Sequence, residues 1–303
     1  MAEISITVAG IKMKNPVMTA SGTFGSGKDY EDFINLGDIG AIIVKSVTLK
    51  PRVGNPPPRI CETPSGMLNT IGLQNPGIDD FLRHDLPYLE QFKTPVIVNI
   101  AGESVEEYSK LASRLDPLKG IAGIEVNISC PNVKQGGMQF GVDPKLTVEV
   151  ISAVRKATKL PVIAKLSPNV TDIRVIAKAA EGAGANAISA INTVLGMAID
   201  INSGKPKLSM GAGGLSGPAI KPIAVRMVNE IYRTVKIPVI GIGGIMSADD
   251  AIEFILAGAS AVQVGTGNFI NPRSAAEIAE GIKKYLSARG YTSIKDIIGK
   301  AKF

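Results

Sequence analysis

The sequence predicts an α/β fold of the (β/α)8 type, a TIM barrel with an N-terminal β-hairpin and long βα loops over the C-terminal face. Three observations carry this expectation. Strand-like and helix-like segments alternate along the 303 residues, which demands right-handed crossovers and a parallel sheet. The strand-like runs are apolar throughout, as in strands buried on both faces. The pattern X-Pro-Val-Ile recurs at 94–97, 160–163 and 237–240, and Pro, lacking an N–H, is tolerated at a strand's first residue but not inside it. Eight such units favour a closed barrel over an open sheet. No linker is legible, so residues 1–303 read as one domain.

Taken in order, residues 3–13 place Ile4, Ile6, Val8, Ile11 and Met13 around Ala9-Gly10, a hairpin pattern that plugs or caps something larger. Strands are expected at 15–22, 41–48, 94–100, 123–130, 160–166, 187–193, 237–243 and 261–266. The first helix is expected over 28–36 and another over 78–92. A helix over 104–116 opens with a capping box, Ser104 followed by Glu107. Helices over 172–183, 220–235, 247–256 and 274–289 follow, the third capped by Ser247 and stopped by Gly258. Residues 49–78 and 194–218, rich in Pro, Gly and Asn, read as loops over a site. The Gly-rich stretch 134–141 reads as a lid.

Composition narrows the function. The chain is 45% hydrophobic and 20% charged, ordinary for a soluble protein. No apolar run approaches the roughly 18 residues that span a bilayer, and the N-terminus lacks a basic start before an apolar block. Two cysteines, Cys61 and Cys130, are too few for a disulfide scaffold; the expectation is a cytoplasmic, reduced protein. The net charge of +6 is scattered, without runs or aromatic interleaving, so no nucleic-acid groove is indicated. Small anionic ligands suit it better.

In such a barrel the chemistry gathers at the C-terminal ends of the strands. Those ends are Ser21-Gly22, Lys45-Ser46, Asn99, Asn127 with Cys130, Lys165, Asn192-Thr193, Gly243-Gly244 and Gly265-Thr266. One Asn at a strand end commonly caps backbone; the set together forms a polar ring over an apolar floor. The paired glycine loops after strands seven and eight suit a phosphate, though either alone could be a tight turn. Gly182-Ala-Gly-Ala-Asn-Ala187 mimics a dinucleotide fingerprint, but it follows a helix and precedes a strand. One histidine and two distant cysteines supply no zinc or iron–sulfur set, and His84 reads as a solvated surface residue. Cys130 remains as acid/base or nucleophile, since a thiol titrates near 8.5. A cysteine nucleophile ordinarily needs a histidine beside it, so general base is the better role. Lys45 and Lys165 can hold anionic charge on a cofactor or substrate.

Several motifs are shared with a known family: Lys45-Ser-Val-Thr-Leu-Lys-Pro-Arg52, Gly54-Asn-Pro-Pro-Pro-Arg59, Asn69-Thr-Ile-Gly-Leu-Gln-Asn-Pro-Gly77, Asn127-Ile-Ser-Cys-Pro-Asn132 and Gly241-Ile-Gly-Gly244. Together they resemble class 1 dihydroorotate dehydrogenases over about 15–266. Cys130 at the base position resembles class 1, since class 2 carries Ser there. Asn69-Thr-Ile-Gly and Lys134-Gln-Gly-Gly-Met resemble the type B, NAD-linked subtype. The resemblance implies FMN-dependent oxidation of (S)-dihydroorotate to orotate in pyrimidine synthesis, with one FMN per chain. Cys130 would take the proton from carbon 5 while hydride leaves carbon 6. Lys45, Asn69, Asn127, Asn132, Asn192 and Thr193, with Thr70, Ile71, Gly72 and Leu73 of the same loop, would hold the substrate. Ser21, Ser46, Asn99, Lys165 and Ile191, with Lys45 and Asn127 shared, would contact the flavin. Gly217, Gly243, Gly244, Gly265 and Thr266 would hold its phosphate. In type B enzymes a second subunit carries FAD and a [2Fe–2S] cluster, so the resemblance implies a homodimer flanked by two such partners, a heterotetramer without nucleic acid or membrane. Rival readings are another FMN barrel resembling dihydropyrimidine dehydrogenase or a tRNA-dihydrouridine synthase, and a non-catalytic flavin- or phosphate-binding barrel.

Overall fold

The computed structural model describes residues 2–129 and 140–302. It opens with strands β1 (Ile6–Val8) and β2 (Ile11–Met13), paired antiparallel with Val8 opposite Ile11. Ala9 and Gly10 both take positive φ, 52° and 84°, the backbone that a two-residue hairpin turn requires. The hairpin's buried residues pack on the barrel's N-terminal end, where a Cβ on Gly123 would lie 2.9 Å from Ile11 Cδ1. The expected plug is therefore present.

In chain order the remaining strands are β3 (Val17–Thr19), β4 (Ile42–Ile43), β5 (Ile60–Thr63), β6 (Gly66–Asn69), β7 (Val96–Ile100), β8 (Ile121–Asn127) and β9 (Val162–Leu166), then β10 (Ala187–Ala190), β11 (Val194–Met197), β12 (Ala212–Ser216), β13 (Val239–Ile242) and β14 (Ala259–Val264). Eight of them form one parallel sheet in the order β3-β14-β13-β10-β9-β8-β7-β4. A parallel bridge between Met18 and Ala41 joins its two ends and closes the barrel. Strands β7 and β9 are buried at every residue, which is why their sequences do not alternate. The recurrent Pro has a definite place. Ile42, Ile124 and Ile188 each donate their N–H to the carbonyl of Pro95, Pro161 or Pro238, at 2.8–3.0 Å. Each Pro thus accepts a ladder bond at a strand entrance where it has none to give.

The helices are α1 (Ile78–Asp80), α2 (Leu86–Leu89), α3 (Val105–Leu115), α4 (Pro144–Ala157), α5 (Ile173–Gly182), α6 (Lys221–Tyr232), α7 (Ala248–Ala257), α8 (Gly267–Ile270) and α9 (Ser274–Ala288). A wider turn over Phe81–Asp85 links the first two, so the helix expected over 78–92 is irregular. Among the described residues no helix is long and apolar enough to cross a membrane.

Four expectations need correction. No α-helix forms over 28–36; the chain makes two short 3-10 turns, Lys28–Tyr30 and Leu36–Asp38. Gly27 in the left-handed region and the Asn35 side chain accepting from Gly37 N bend the segment, while Phe24 stacks on Tyr30 with ring centroids 4.3 Å apart. The insertions 49–78 and 194–218 are not merely loops. They supply β5, β6, β11 and β12, an antiparallel sheet in the order β11-β12-β6-β5. At α3 only half of the capping box forms: Ser104 Oγ accepts from Glu107 N, but the Glu107 carboxylate accepts from Glu103 N at 2.7 Å. The full box stands at α7, where Ser247 and Asp250 cap each other. Finally, α4 was not among the helices expected, although Asp143 caps it and Pro144 begins it.

Candidate active site

The C-terminal ends of the barrel strands and the four-stranded sheet above them enclose a cleft of about 1340 Å³. A shallower hollow of about 590 Å³ lies beside the first turns of α4 and α5. Its one charged group, Asp172, is spent on Arg174, which leaves the barrel mouth as the site.

The structure brings almost all the expected residues to this cleft. Ser21, Lys45, Ser46, Asn127, Lys165, Ile191, Asn192 and Thr193 reach it from barrel strand ends, Asn69 from the last position of β6, and Thr70, Ile71, Gly72 and Leu73 from the loop that follows. Gly217, Gly243, Gly244, Gly265 and Thr266 line its far side. Asn99 is placed differently. It is fully buried below the lining, accepting from Ser46 Oγ at 2.6 Å and donating to Glu125 Oε1 at 2.7 Å. Cys130 and Asn132 lie outside the described residues, as do Lys134 and most of the stretch read as a lid. His84 is away from the mouth, half exposed, with Nδ1 2.9 Å from Asp80 Oδ1.

Strand ends on either side of β9 set two amides facing one another. Asn127 Oδ1 accepts from Ser129 N at 3.2 Å and from Asn192 Nδ2 at 3.5 Å. Tyr108 of α3 donates to the Asn127 carbonyl at 2.7 Å and fixes that strand end. On the opposite wall Asn69 Nδ2 donates to Gly214 O at 3.3 Å, tying β6 to β12. Two ammonium groups meet here. Lys165 donates to Ser21 Oγ at 3.2 Å and lies 3.6 Å from Glu125 Oε1. Lys45 has no carboxylate partner among the described residues. Its pKa is pushed down by burial first, then by the Lys165 and Arg59 charges. A lysine held in that condition favours an incoming anion, which supplies the missing counter-charge.

Sequence reasoning missed several polar groups. Asn55, Ser167 and Asn169 line the cleft, and Asn169 braces its rim by donating to Thr193 O and accepting from Leu195 N. Nothing local marks them. Glu125, Ser189 and Gln263 sit inside the barrel with no exposed surface, and these did carry a signal. A carboxylate within a strand buried on both faces needs a partner.

The far side can be tested for fit to a phosphorylated cofactor such as FMN. Gly244 has φ +73°, and a Cβ there would lie 2.7 Å from Lys221 Cβ and 2.9 Å from Gly217 O. Only glycine allows this turn to approach the 217–221 backbone so closely. Thr266 Oγ1 donates to Ser216 Oγ beside them. A crowded backbone cradle beside the first residues of a helix suits an anion, and the amide ring at the other end suits a flat heterocycle. The residues present fit FMN.

Fold and site together define a (β/α)8 barrel with a polar cleft at the mouth of its strands. The family model for dihydroorotate dehydrogenase matches residues 3–286. The chain belongs to the dihydroorotate dehydrogenase family, and it is an oxidoreductase. It is 58% identical over 297 residues to "Dihydroorotate dehydrogenase B (NAD(+)), catalytic subunit" of Geotalea uraniireducens (strain Rf4), covering 98% of this chain and 97% of that one. It is 57% identical over the same length and coverage to the protein so named from Desulforudis audaxviator (strain MP104C). Among solved structures, the dihydroorotate dehydrogenase of Eimeria tenella, in complex with ferulenol, superposes with a TM-score of 0.81, covering 98% of this chain and 88% of that one. At 24% identity that is a likeness of fold.

Proposed function

We propose that the chain oxidises (S)-dihydroorotate to orotate with FMN as the immediate hydride acceptor. The observation that carries this reading is Lys45: a half-buried ammonium without a carboxylate partner among the described residues, facing a ring of amides. Dihydroorotate differs from its neutral pyrimidine relatives by a carboxylate, and Lys45 is placed to hold one. Asn69, Asn127, Asn192 and Thr193, joined by Asn132, offer donors and acceptors to the ring's imide groups at fixed angles.

FMN, when bound, supplies the acceptor for the hydride from carbon 6. The chain's own contribution is binding and proton transfer. Cys130 follows directly after Ser129, which lines the cleft, and its thiolate takes the proton from carbon 5 as the C5–C6 double bond forms. Lys45 holds the carboxylate so that carbon 5 faces the base. Lys165 and Ser21 sit beneath on the cofactor side, and Gly217, Gly243, Gly244, Gly265 and Thr266 cradle the phosphate. The amide ring and the sheet above it keep water from the reacting carbons. Onward transfer of electrons to NAD runs through a second subunit carrying FAD and a [2Fe–2S] cluster, with two of these flanking a homodimer; the relatives' description as a "catalytic subunit" supports that division.

The test is anaerobic mixing of the FMN-loaded chain with dihydroorotate while following flavin absorbance. Bleaching is expected with dihydroorotate and not with dihydrouracil. Equal bleaching by both sinks the role of Lys45. Cys130→Ala should retain the yellow colour and bleach at least about a hundredfold more slowly near neutral pH, in line with loss of a general base; an unchanged rate removes Cys130 from that role.

A further inference from the structure

The middle of a barrel of this type is ordinarily filled by layers of branched apolar side chains. Here one layer is polar. Glu125 on β8 has no exposed surface and is surrounded by donors from four other strands. Its Oε1 accepts from Asn99 Nδ2 of β7 at 2.7 Å and lies 3.6 Å from Lys165 Nζ of β9. Its Oε2 accepts from Ser189 Oγ of β10 at 2.9 Å and Gln263 Nε2 of β14 at 2.7 Å. Such a set of donors is satisfied by a carboxylate, which only accepts. Gln263 Oε1 is buried without a hydrogen-bond partner among the described residues, so Gln263 turns its amide to serve Glu125 and leaves its own oxygen unserved.

An apolar layer would build a sounder barrel, because a buried ion pair loses more by desolvation than it commonly regains. The arrangement makes sense by what stands above it. Asn127 and Lys165 are register partners on β8 and β9, one layer nearer the mouth than Glu125. Lys165 reaches Ser21 at the cleft with Glu125 beneath it. We propose that Glu125 is a positioning residue that acts through Lys165: held by its four donors, it braces that side chain from beneath and aims it at the cofactor side of the cleft. The inference rests on the FMN reading above. Among the described residues, the charged groups facing Lys165 are Glu125 from β8 and Lys45 from beyond β4; Ser21, beyond β3, accepts from it, and Ser189 of β10 is its register partner.

The experiment titrates FMN into apoprotein by fluorescence quenching near neutral pH. Glu125→Gln keeps the shape, and Gln263 can turn its idle oxygen towards the new amide. E125Q is expected to bind FMN about tenfold more weakly, the usual scale for losing a charged hydrogen-bond partner. In a Lys165→Met background, adding E125Q should change FMN affinity less than about twofold, since interacting residues are not additive. A merely structural Glu125 would lower the melting temperature of apoprotein and cost the same FMN affinity with or without the Lys165→Met change. E125Q with wild-type affinity overturns the proposal. If E125Q alone does not fold, K165M against E125Q/K165M decides, and a further tenfold loss in the double variant overturns it. If the unaltered chain takes up no FMN, the FMN reading itself falls, a result distinct from either.

Discussion

Lys45 shows how one side chain carries a functional argument. Burial, with Lys165 and Arg59 nearby, pushes its pKa below the ordinary 10.5. The folded chain therefore bears a cost for charging this lysine that the unfolded chain does not. That cost is fully present below the lowered folded value, shrinks as pH rises through it, and is gone above 10.5. The Lys45 contribution should make ligand-free protein more stable as pH climbs towards 10.5. Lys45→Met should raise the urea midpoint at pH 7 and remove that part of the rise. A midpoint lower than wild type at pH 7 would show that Lys45 is not strained in this way. The same variant should lose most of its affinity for an anionic ligand, so stability and binding move in opposite directions. Residue type and strand-end position were legible for Lys45, Asn127 and Lys165. Asn99 occupies a strand end too, yet it turns inward to Glu125 and Ser46, because side-chain direction depends on what the neighbouring strands present.

Under the proposed function, substrate contact depends on the four-stranded sheet over the mouth. It joins residues 60–69 to residues 194–216, and β6 pairs with β12 so that Asn69 faces Gly214. A Cβ on Gly214 would collide with Thr193 Oγ1 and Cβ, so this position must stay without a side chain. Gly214→Val should part β12 from Thr193 and Asn69, raising the KM for dihydroorotate at least about tenfold, as displaced positioning groups do. The barrel walls are separate elements, so FMN content should stay near one per chain. Loss of the flavin together with the substrate would show that sheet and barrel do not act independently. This sheet could not be read beforehand. Its strands are short, three of them contain Gly, and β6 meets β12 across more than a hundred residues. By contrast the barrel strands and most of their helices were legible, because burial on both faces writes an uninterrupted apolar run into each strand. The helix expected over 28–36 failed where glycine and Asn35 gave the backbone a tighter alternative.

At the scale of the whole molecule, electrons taken from a substrate must leave. The chain carries two cysteines and no dinucleotide fingerprint placed after a strand, so under the proposed function it should stop after one turnover unless another acceptor is given. FMN-loaded chain with dihydroorotate and NAD should produce NADH only when the FAD- and cluster-bearing subunit is added, measured by absorbance at saturating substrate. Full-rate NADH formation by the chain alone would end the partner proposal.

The sequence by itself determined the order of strands and helices, the apolar wall, the hairpin plug and the polar character of the strand ends. All of these are written in periodicity over short windows, where local burial dictates residue type. Tertiary structure alone decided which polar groups meet. Glu125, Asn99, Lys165, Ser189 and Gln263 come from five strands and touch only once the barrel closes. Closure is a long-range event, and no local pattern records which side chains it brings face to face.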